Sequence, residues 1–161
     1  MFEKLVLVTR RTRLEGLIER FNTRGQAKFY LQQAGLDFAE YEREHDVYAR
    51  SLELTRGLLE KSGLKVQVLD RTVVPTYLFS QSDLVVALGQ DGLVANTAKY
   101  IGAQPLIGVN PDPERFDGVL LPFRVDQLSA AVEATLSTRA EVKEVTLAEV
   151  TLSDGQRLLA F

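Results

Sequence analysis

A buried strand that runs directly into a glycine-flanked turn is the feature that most constrains the fold. Residues 84–88 are continuously apolar, and they are followed by Gly89, Gln90, Asp91 and Gly92. A continuous run is typical of a central parallel strand that is covered on both faces. In such sheets ligands bind beyond the carboxyl ends of the strands, where glycines let backbone N–H groups approach an anion. The residues alone equally allow a simple tight turn.

Strand and helix patterns alternate over most of the chain. Strands are predicted at residues 4–8, 64–68, 84–88, 105–109 and 118–121. Helices are predicted at residues 14–21, 26–33, 37–61, 96–102 and 126–136. Because strands and helices alternate, we expect βαβ units and an α/β fold with an open parallel sheet.

The pattern changes after residue 138. Residues 143–152 and 157–161 are β-rich, and the Asp154-Gly155 pair between them is a strong hairpin turn signal. We therefore predict an α/β nucleotide-binding domain over residues 1–138 and, over residues 139–161, the opening hairpin of a truncated all-β domain.

Composition excludes several classes of site. The 161 residues contain no cysteine and one histidine, which excludes disulfides, thiolate nucleophiles and multi-histidine metal sites, so any metal must have oxygen ligands. The net charge of −3 gives no indication of a general nucleic-acid surface. No apolar stretch approaches the roughly 20 residues that span a bilayer, and no targeting signal is visible. A cytoplasmic location without membrane attachment is the expectation.

Two further features concern basic side chains: an arginine cluster after the first strand and the single histidine. Arg10, Arg11 and Arg13 follow the first strand and would face the same crevice as Asp91, where arginine suits phosphate, but a solvated surface cluster is the alternative. His45 lies on the apolar stripe of the long helix and is interpreted as a histidine that bonds to a neighbour, without a catalytic role. That stripe can pack on the domain or on another subunit.

The turn and the segment after the next strand resemble the NAD kinase family, in particular its mitochondrial-type branch. The matching residues are Gly89, Asp91 and Gly92, then Val109, Asn110, Asp112, Pro113, Glu114 and Arg115, together with residues 12–15, Thr-Arg-Leu-Glu. The resemblance runs from the first strand to about Phe123. Taken without it, the Asn-Pro-Asp-Pro-Glu-Arg segment could equally be a proline-stiffened turn.

The resemblance implies a Rossmann-like domain that phosphorylates the 2′-hydroxyl of the adenosine ribose of NAD, with ATP and a divalent cation such as Mg²⁺, in NADP biosynthesis. Asp91 would be the catalytic residue that accepts or orients the hydroxyl proton. The residues that the resemblance and the crevice assign to nucleotide binding are Thr12, Arg13, Gly89, Gln90, Gly92, Leu93, Asn110, Asp112 and Arg115. A second, all-β domain with an Asn-Glu motif for the NAD ribose is also implied.

Two departures from the family pattern leave alternatives open. Gln90 stands where the family has a second glycine, and Leu93 stands where it has a threonine facing the ATP phosphates. The chain could therefore be a non-catalytic nucleotide-binding or regulatory protein, or a lipid or small-molecule kinase of the same superfamily. The expected partners are small-molecule nucleotides and a second copy of the chain in a homo-dimer, through the exposed hairpin edges.

Overall fold

The computed structural model describes residues 1–161. In chain order its elements are β1 Lys4–Thr9, α1 Arg13–Phe21, α2 Arg24–Gln33, α3 Phe38–Glu60, β2 Lys65–Asp70, β3 Asp83–Leu88, α4 Asp91–Ala98, β4 Leu106–Asn110, β5 Phe123–Arg124, α5 Leu128–Leu136, β6 Ala148–Thr151 and β7 Arg157–Ala160. Single 3₁₀ turns occupy Val74–Thr76 and Val125–Gln127. No helix is both long enough and apolar enough to cross a membrane.

Strands β1 to β5 form one parallel sheet in the order β2-β1-β3-β4-β5. This confirms the predicted α/β fold with an open, Rossmann-like parallel sheet. The chain adds β2 on one side of β1 and then crosses back to add β3 on the other. Ligands of open α/β sheets bind where the strand order reverses in this way, which here is between the carboxyl ends of β1 and β3.

The two central strands divide the core between the two faces of the sheet. Leu5 and Leu7 of β1 pack with residues of α3 and α5, whereas Val6 and Val8 pack with residues of α4 and the loop after β2. All six residues of β3 are buried. The continuous apolar run therefore reports a strand that is covered on both faces, as its pattern predicts.

The long helix is confirmed with nearly its predicted limits. Asp37 caps α3 by accepting a hydrogen bond from the N–H of Ala39 at 2.9 Å. The stripe predicted for this helix consists of Phe38, Tyr41, Tyr48, Leu52, Thr55 and Leu59. Phe38, Tyr48, Thr55 and Leu59 are buried, and so is Glu44, which the apolar pattern does not predict.

Two predicted elements are wrong in detail. Residues 118–121 form a turn and not a strand, because they cross over β4: a β-carbon on Gly108 would lie 2.2 Å from the carbonyl oxygen of Leu120. The last strand of the sheet is β5. The short helix predicted at residues 96–102 instead begins at Asp91, directly after β3, and ends at Ala98.

The hairpin is confirmed as a separate antiparallel pair of β6 and β7. Val150 pairs with Leu158, and these two side chains are 53% and 55% exposed. Each strand also has an unpaired outer edge, which is a template for pairing with another chain. The assignment of residues 139–161 to a second domain stays a prediction.

We predict that the chain self-associates through this hairpin at concentrations of tens of micromolar. Leu158→Lys places a charge in the exposed apolar pair and is expected to shift the molecular mass, measured by light scattering, toward the monomer. Leu54→Lys is the matched control, because Leu54 is an exposed leucine on α3. A monomeric wild type, or an equal effect of both substitutions, would contradict the prediction.

Candidate functional site

The hydroxyl of Tyr48 ties together the two strand ends at the switch point. It accepts a hydrogen bond from the N–H of Arg10 at 2.9 Å and donates one to the carbonyl of Leu88 at 3.0 Å. Burial raises the pKa of Tyr48 to about 12, so the hydroxyl keeps the proton that it donates. Helix α3 thereby holds the ends of β1 and β3 in a fixed relation.

A crevice of about 200 Å³ opens beyond these strand ends. The residues that line it are Arg10, Arg13, Glu44, Gln90, Arg115 and Phe116. Sites for whole drug-sized ligands have volumes of about 300 to 1,000 Å³, so this crevice suits one polar part of a larger ligand.

Three arginines from two segments, the turn after β1 and the loop after β4, surround the carboxylate of Glu44, which is only 5% exposed. Arg10 donates from both Nη atoms to Oε1 at 3.2 Å, and Arg13 donates its Nε–H to Oε2. Arg115 Nη1 lies 3.9 Å from the same Oε2. Because three cations face one anion, the cluster carries a net positive charge.

The arginines govern the ionisation of Glu44. Burial alone would raise the pKa of its carboxyl, but the hydrogen bonds and positive charges of Arg13 and Arg10 outweigh burial and hold the pKa below its ordinary value. Glu44 is thus an ionised, buried carboxylate at neutral pH. Sequence reasoning missed it, although a glutamate on the buried stripe of α3 was the available signal.

The predicted basic turn divides into two parts. Arg10 and Arg13 line the crevice, whereas Arg11 pairs with the exposed Glu19 and takes no part in it. Thr12 is buried and caps α1: its hydroxyl accepts the N–H of Glu15 at 3.2 Å, and the Glu15 carboxylate accepts the N–H of Thr12 at 2.7 Å. The hydroxyl of Thr12 also lies 3.0 Å from Nδ1 of His45, so His45 does bond to a neighbour.

Asp91 lies in the first turn of α4 and holds the loop that crosses β4. Its carboxylate accepts the N–H of Leu120 at 2.8 Å and the N–H of Val119 at 3.2 Å. The close approach at Gly108 is what brings this loop within reach. Both carboxylate oxygens of Asp91 are therefore bound to the backbone in this conformation.

The other residues of the turn after β3 divide between the crevice and the core. Gln90 lines the crevice and Gly92 is exposed beside it. Leu93 is 2% exposed and belongs to the core cluster of Val6, and its Cδ2 would lie 2.8 Å from a β-carbon on Gly89. The side chain at position 93 therefore points into the core, away from the crevice.

Asn110 and Asp112 organise the loop that carries Arg115. The buried amide of Asn110 donates to the carbonyl of Phe116 at 2.7 Å, and its oxygen accepts the N–H of Asp112 at 3.0 Å. The carbonyl of Asp112 then accepts the N–H groups of Arg115 and Phe116. Arg115 and Phe116 are the residues of this loop that line the crevice, together with Arg13 and Gln90.

The carboxylates of the candidate site, Glu44 in the crevice and Asp91 in the first turn of α4, do not fit a resident divalent cation. Glu44 is bound by arginines, and both oxygens of Asp91 accept backbone N–H groups. No group of three or more histidine, aspartate or glutamate side chains is arranged to hold a metal ion.

We predict that Glu44→Gln lowers the free energy of unfolding at pH 7 by about 3 kcal/mol, because it leaves Arg10 buried without a counter-charge. Because the folded pKa of Glu44 lies below its ordinary value of 4.5, its stabilising contribution is complete above that value. The contribution is lost as pH falls through the lower folded pKa. The free energy of unfolding, measured in urea between about pH 6 and about pH 3, should therefore fall less steeply with falling pH in Glu44→Gln than in the wild type.

The matched control for this acid dependence is Glu42→Gln. Glu42 lies on the same helix but pairs with Arg24, which is 55% exposed. Substitution of Glu42 should therefore change the free energy of unfolding and its pH dependence little. Equal pH profiles for wild type and Glu44→Gln would contradict the assigned ionisation of Glu44.

We further predict that Asp91→Asn lowers the free energy of unfolding by about 1 to 3 kcal/mol, the scale of lost hydrogen bonds to a charged acceptor. Hydrogen exchange at the amides of Val119 and Leu120 should accelerate. Asp117→Asn is the control, because Asp117 is in the same loop and its side chain makes no hydrogen bond within the protein. Unchanged exchange in Asp91→Asn would show that the carboxylate does not hold the loop.

Comparison with known proteins gives one consistent set of relatives. NAD kinase 2, mitochondrial, of Homo sapiens is 28% identical over 128 residues, which cover 75% of this chain and 29% of that protein. The same-named proteins of Rattus norvegicus and Xenopus tropicalis are 28% and 26% identical over 128 residues, and each is covered to 30%. No family profile matches the chain.

The chain spans less than a third of the length of the curated relatives that it matches. These relatives are named mitochondrial, and the cytoplasmic location expected for this chain stays a prediction. The matches confirm the resemblance that residues 89–92 and 109–115 indicated. Over the region shared with these relatives, the chain is NAD kinase-like.

Proposed function

We propose that this chain provides the nucleotide-binding α/β part of an NAD kinase-type phosphotransferase, which transfers a phosphoryl group from ATP to the 2′-hydroxyl of the adenosine ribose of NAD. The observation that carries the proposal is the cationic crevice at the switch point between β1 and β3. Its position is the one where open α/β sheets bind nucleotides. The similarity to NAD kinase 2 proteins supports the same substrates.

The crevice offers donors that suit phosphate oxygens. Arg13 and Arg115 are 42% and 35% exposed, and their Nη groups have no hydrogen-bond partner within the protein. Helix α4 begins at Asp91 beside them, and the first N–H groups of a helix lack intrahelical partners and favour anions. The phosphates of ATP or NAD are the substrate groups that this combination would bind.

The chemical step would depend mainly on positioning. In-line transfer to the ribose hydroxyl requires little from the protein beyond orientation and charge stabilisation. Asp91 remains the proposed base or orienting group, and this role requires Val119 and Leu120 to release its carboxylate when substrate binds. Mg²⁺ would arrive with ATP, since the crevice carboxylates are already bound and phosphate oxygens are ligands that Mg²⁺ accepts.

A second candidate is nucleotide binding without turnover. The observation that favours it is the same carboxylate of Asp91, which is held by two backbone N–H groups. A regulatory or sensing protein could keep the phosphate crevice and use Asp91 only to hold the loop. Phosphate binding is common to both candidates, so they are separated only by a turnover measurement.

Nucleotide binding is tested with two arginines from the same turn. Arg13→Gln removes a crevice cation and is expected to weaken the binding of ATP or NAD, measured by calorimetry, by about tenfold or more, the scale of one charge-assisted hydrogen bond. Arg11→Gln is the matched control, because it makes the same charge change at a residue that pairs with Glu19 outside the crevice. Equal effects of the two substitutions would place the nucleotide elsewhere.

Turnover is tested in the protein as its gene encodes it, with ATP, Mg²⁺ and NAD. NADP formation that falls by about 10²-fold or more in Asp91→Asn supports a general base or orienting group at this position. Binding of NAD without any NADP formation favours the non-catalytic candidate. Phosphorylation of a different alcohol in place of NAD would favour a lipid or small-molecule kinase.

A further inference from the structure

We propose that Glu44 is a positioning residue: its buried carboxylate gathers Arg13 and Arg115 from separate segments and orients them as a clamp for a pyrophosphate or phosphoryl group. The proposal rests on the proposed function and adds a residue that neither the sequence motifs nor the relatives indicated. Glu44 itself would not touch the ligand. It would act through Arg13 and Arg115, which line the crevice with it.

Stability alone does not require a carboxylate at this position, although removing it from the present cluster is costly. Glu44 occupies the buried stripe of α3, where it is followed at intervals of four and three residues by Tyr48 and Ser51. Buried ion pairs can often be replaced by apolar residues of similar volume at no loss of stability. The cluster also leaves Nε of Arg10 buried without a hydrogen-bond partner. A buried polar group without a partner is a feature that requires an explanation, and a binding site is one.

The shared oxygen of Glu44 explains how two cations can lie side by side. Arg13 is the first residue of α1, and Arg115 belongs to the loop between β4 and β5. Both approach Oε2 of Glu44, Arg13 through a hydrogen bond from Nε and Arg115 at 3.9 Å. Without this carboxylate the two guanidinium groups would repel each other and turn toward solvent.

The contacts leave the arginines free for a ligand. Arg13 uses only its Nε–H on Glu44, and its guanidinium lies 4.3 Å from the ring centre of Tyr41. The guanidinium of Arg115 makes no hydrogen bond within the protein, and it lies 5.5 Å from the ring centre of Phe116. Both arginines line the crevice, and the Nη groups of Arg13 and the guanidinium of Arg115 have no hydrogen-bond acceptor within the protein. The planar fork of arginine matches two oxygens of a phosphate at once.

Two neighbours of Glu44 on α3 fix the segments that carry the arginines. Tyr48 binds the N–H of Arg10 and the carbonyl of Leu88. The buried hydroxyl of Ser51 donates to the carbonyl of Pro111 at 2.8 Å, which docks the loop of Arg115 on the same helix. One face of α3 therefore sets the positions of all three chain segments around the crevice, and Glu44 contacts the arginine side chains of two of them.

A double-mutant cycle tests whether Glu44 acts through the arginines. Calorimetry measures the binding of ATP, NAD and inorganic pyrophosphate to the wild type, Glu44→Gln, the double variant Arg13→Gln/Arg115→Gln, and the triple variant. We expect Glu44→Gln to weaken binding by about tenfold in the wild-type background and to have no further effect in the double variant, because coupled residues are not additive. Glu19→Gln is the control, since Glu19 pairs with Arg11 outside the crevice.

The outcomes separate this inference from the proposed function. If Glu44→Gln lowers the binding affinity equally in the wild-type and the double arginine backgrounds, the loss reflects general structural damage and the positioning role is overturned. Unchanged or tighter binding in Glu44→Gln would also overturn it. If ATP and NAD bind independently of Glu44, the clamp fails and the proposed function stands. If pyrophosphate binds with the expected coupling but neither nucleotide binds, the clamp stands and the proposed function fails.

A variant that keeps the charge covers the case in which Glu44→Gln does not fold. Glu44→Asp withdraws the carboxylate from Arg13 and Arg115 by one methylene and retains a counter-charge for Arg10. In the same cycle, Glu44→Asp is expected to lower the binding affinity less than Glu44→Gln does. This loss should again be absent in the double variant Arg13→Gln/Arg115→Gln. A loss that persists in that background would overturn the proposal.

Discussion

The pairing of β1 with β3 is the constraint on which the rest of the structure depends. These strands are buried along nearly their whole length, and their adjacency creates the point where the chain reverses its direction of sheet growth. Two polar segments of the site follow these strands, and the third, the loop of Arg115, follows β4, which pairs with β3. The hydroxyl of Tyr48 completes this arrangement, because it bonds to both strand ends from α3. The sheet thus provides the position of the crevice, and α3 provides its shape.

Both carboxylates nearest the crevice are already bound within the protein. Glu44 is surrounded by arginines and Asp91 accepts two backbone N–H groups. These contacts stabilise the loops around the crevice and leave arginine N–H groups as its free polar donors. Such a surface can bind an anion such as phosphate without a free carboxylate that could take part in catalysis. Binding of phosphate and any later chemistry at Asp91 are therefore physically separate requirements, and they can be lost independently.

The two departures from the NAD kinase turn have different structural meanings. Leu93 contributes to the core against Gly89, so a threonine there would place a hydroxyl among apolar side chains and remove packing volume. Gln90 lines the crevice, where its carboxamide adds a polar group beside Arg13. One departure therefore concerns stability of the domain, and the other concerns what the crevice can recognise.

The sequence by itself determined the fold class, the central strand and the turn after it, because a strand buried on both faces leaves a local, continuous apolar pattern. It also indicated the Asp-Gly hairpin and the basic turn. Only the tertiary structure decided which arginines face the crevice, that Asp91 is bound by residues 119 and 120, and that Glu44 belongs to the site. These facts depend on contacts between residues about 30 to 70 positions apart. Neither composition nor periodicity shows how side chains from distant segments meet.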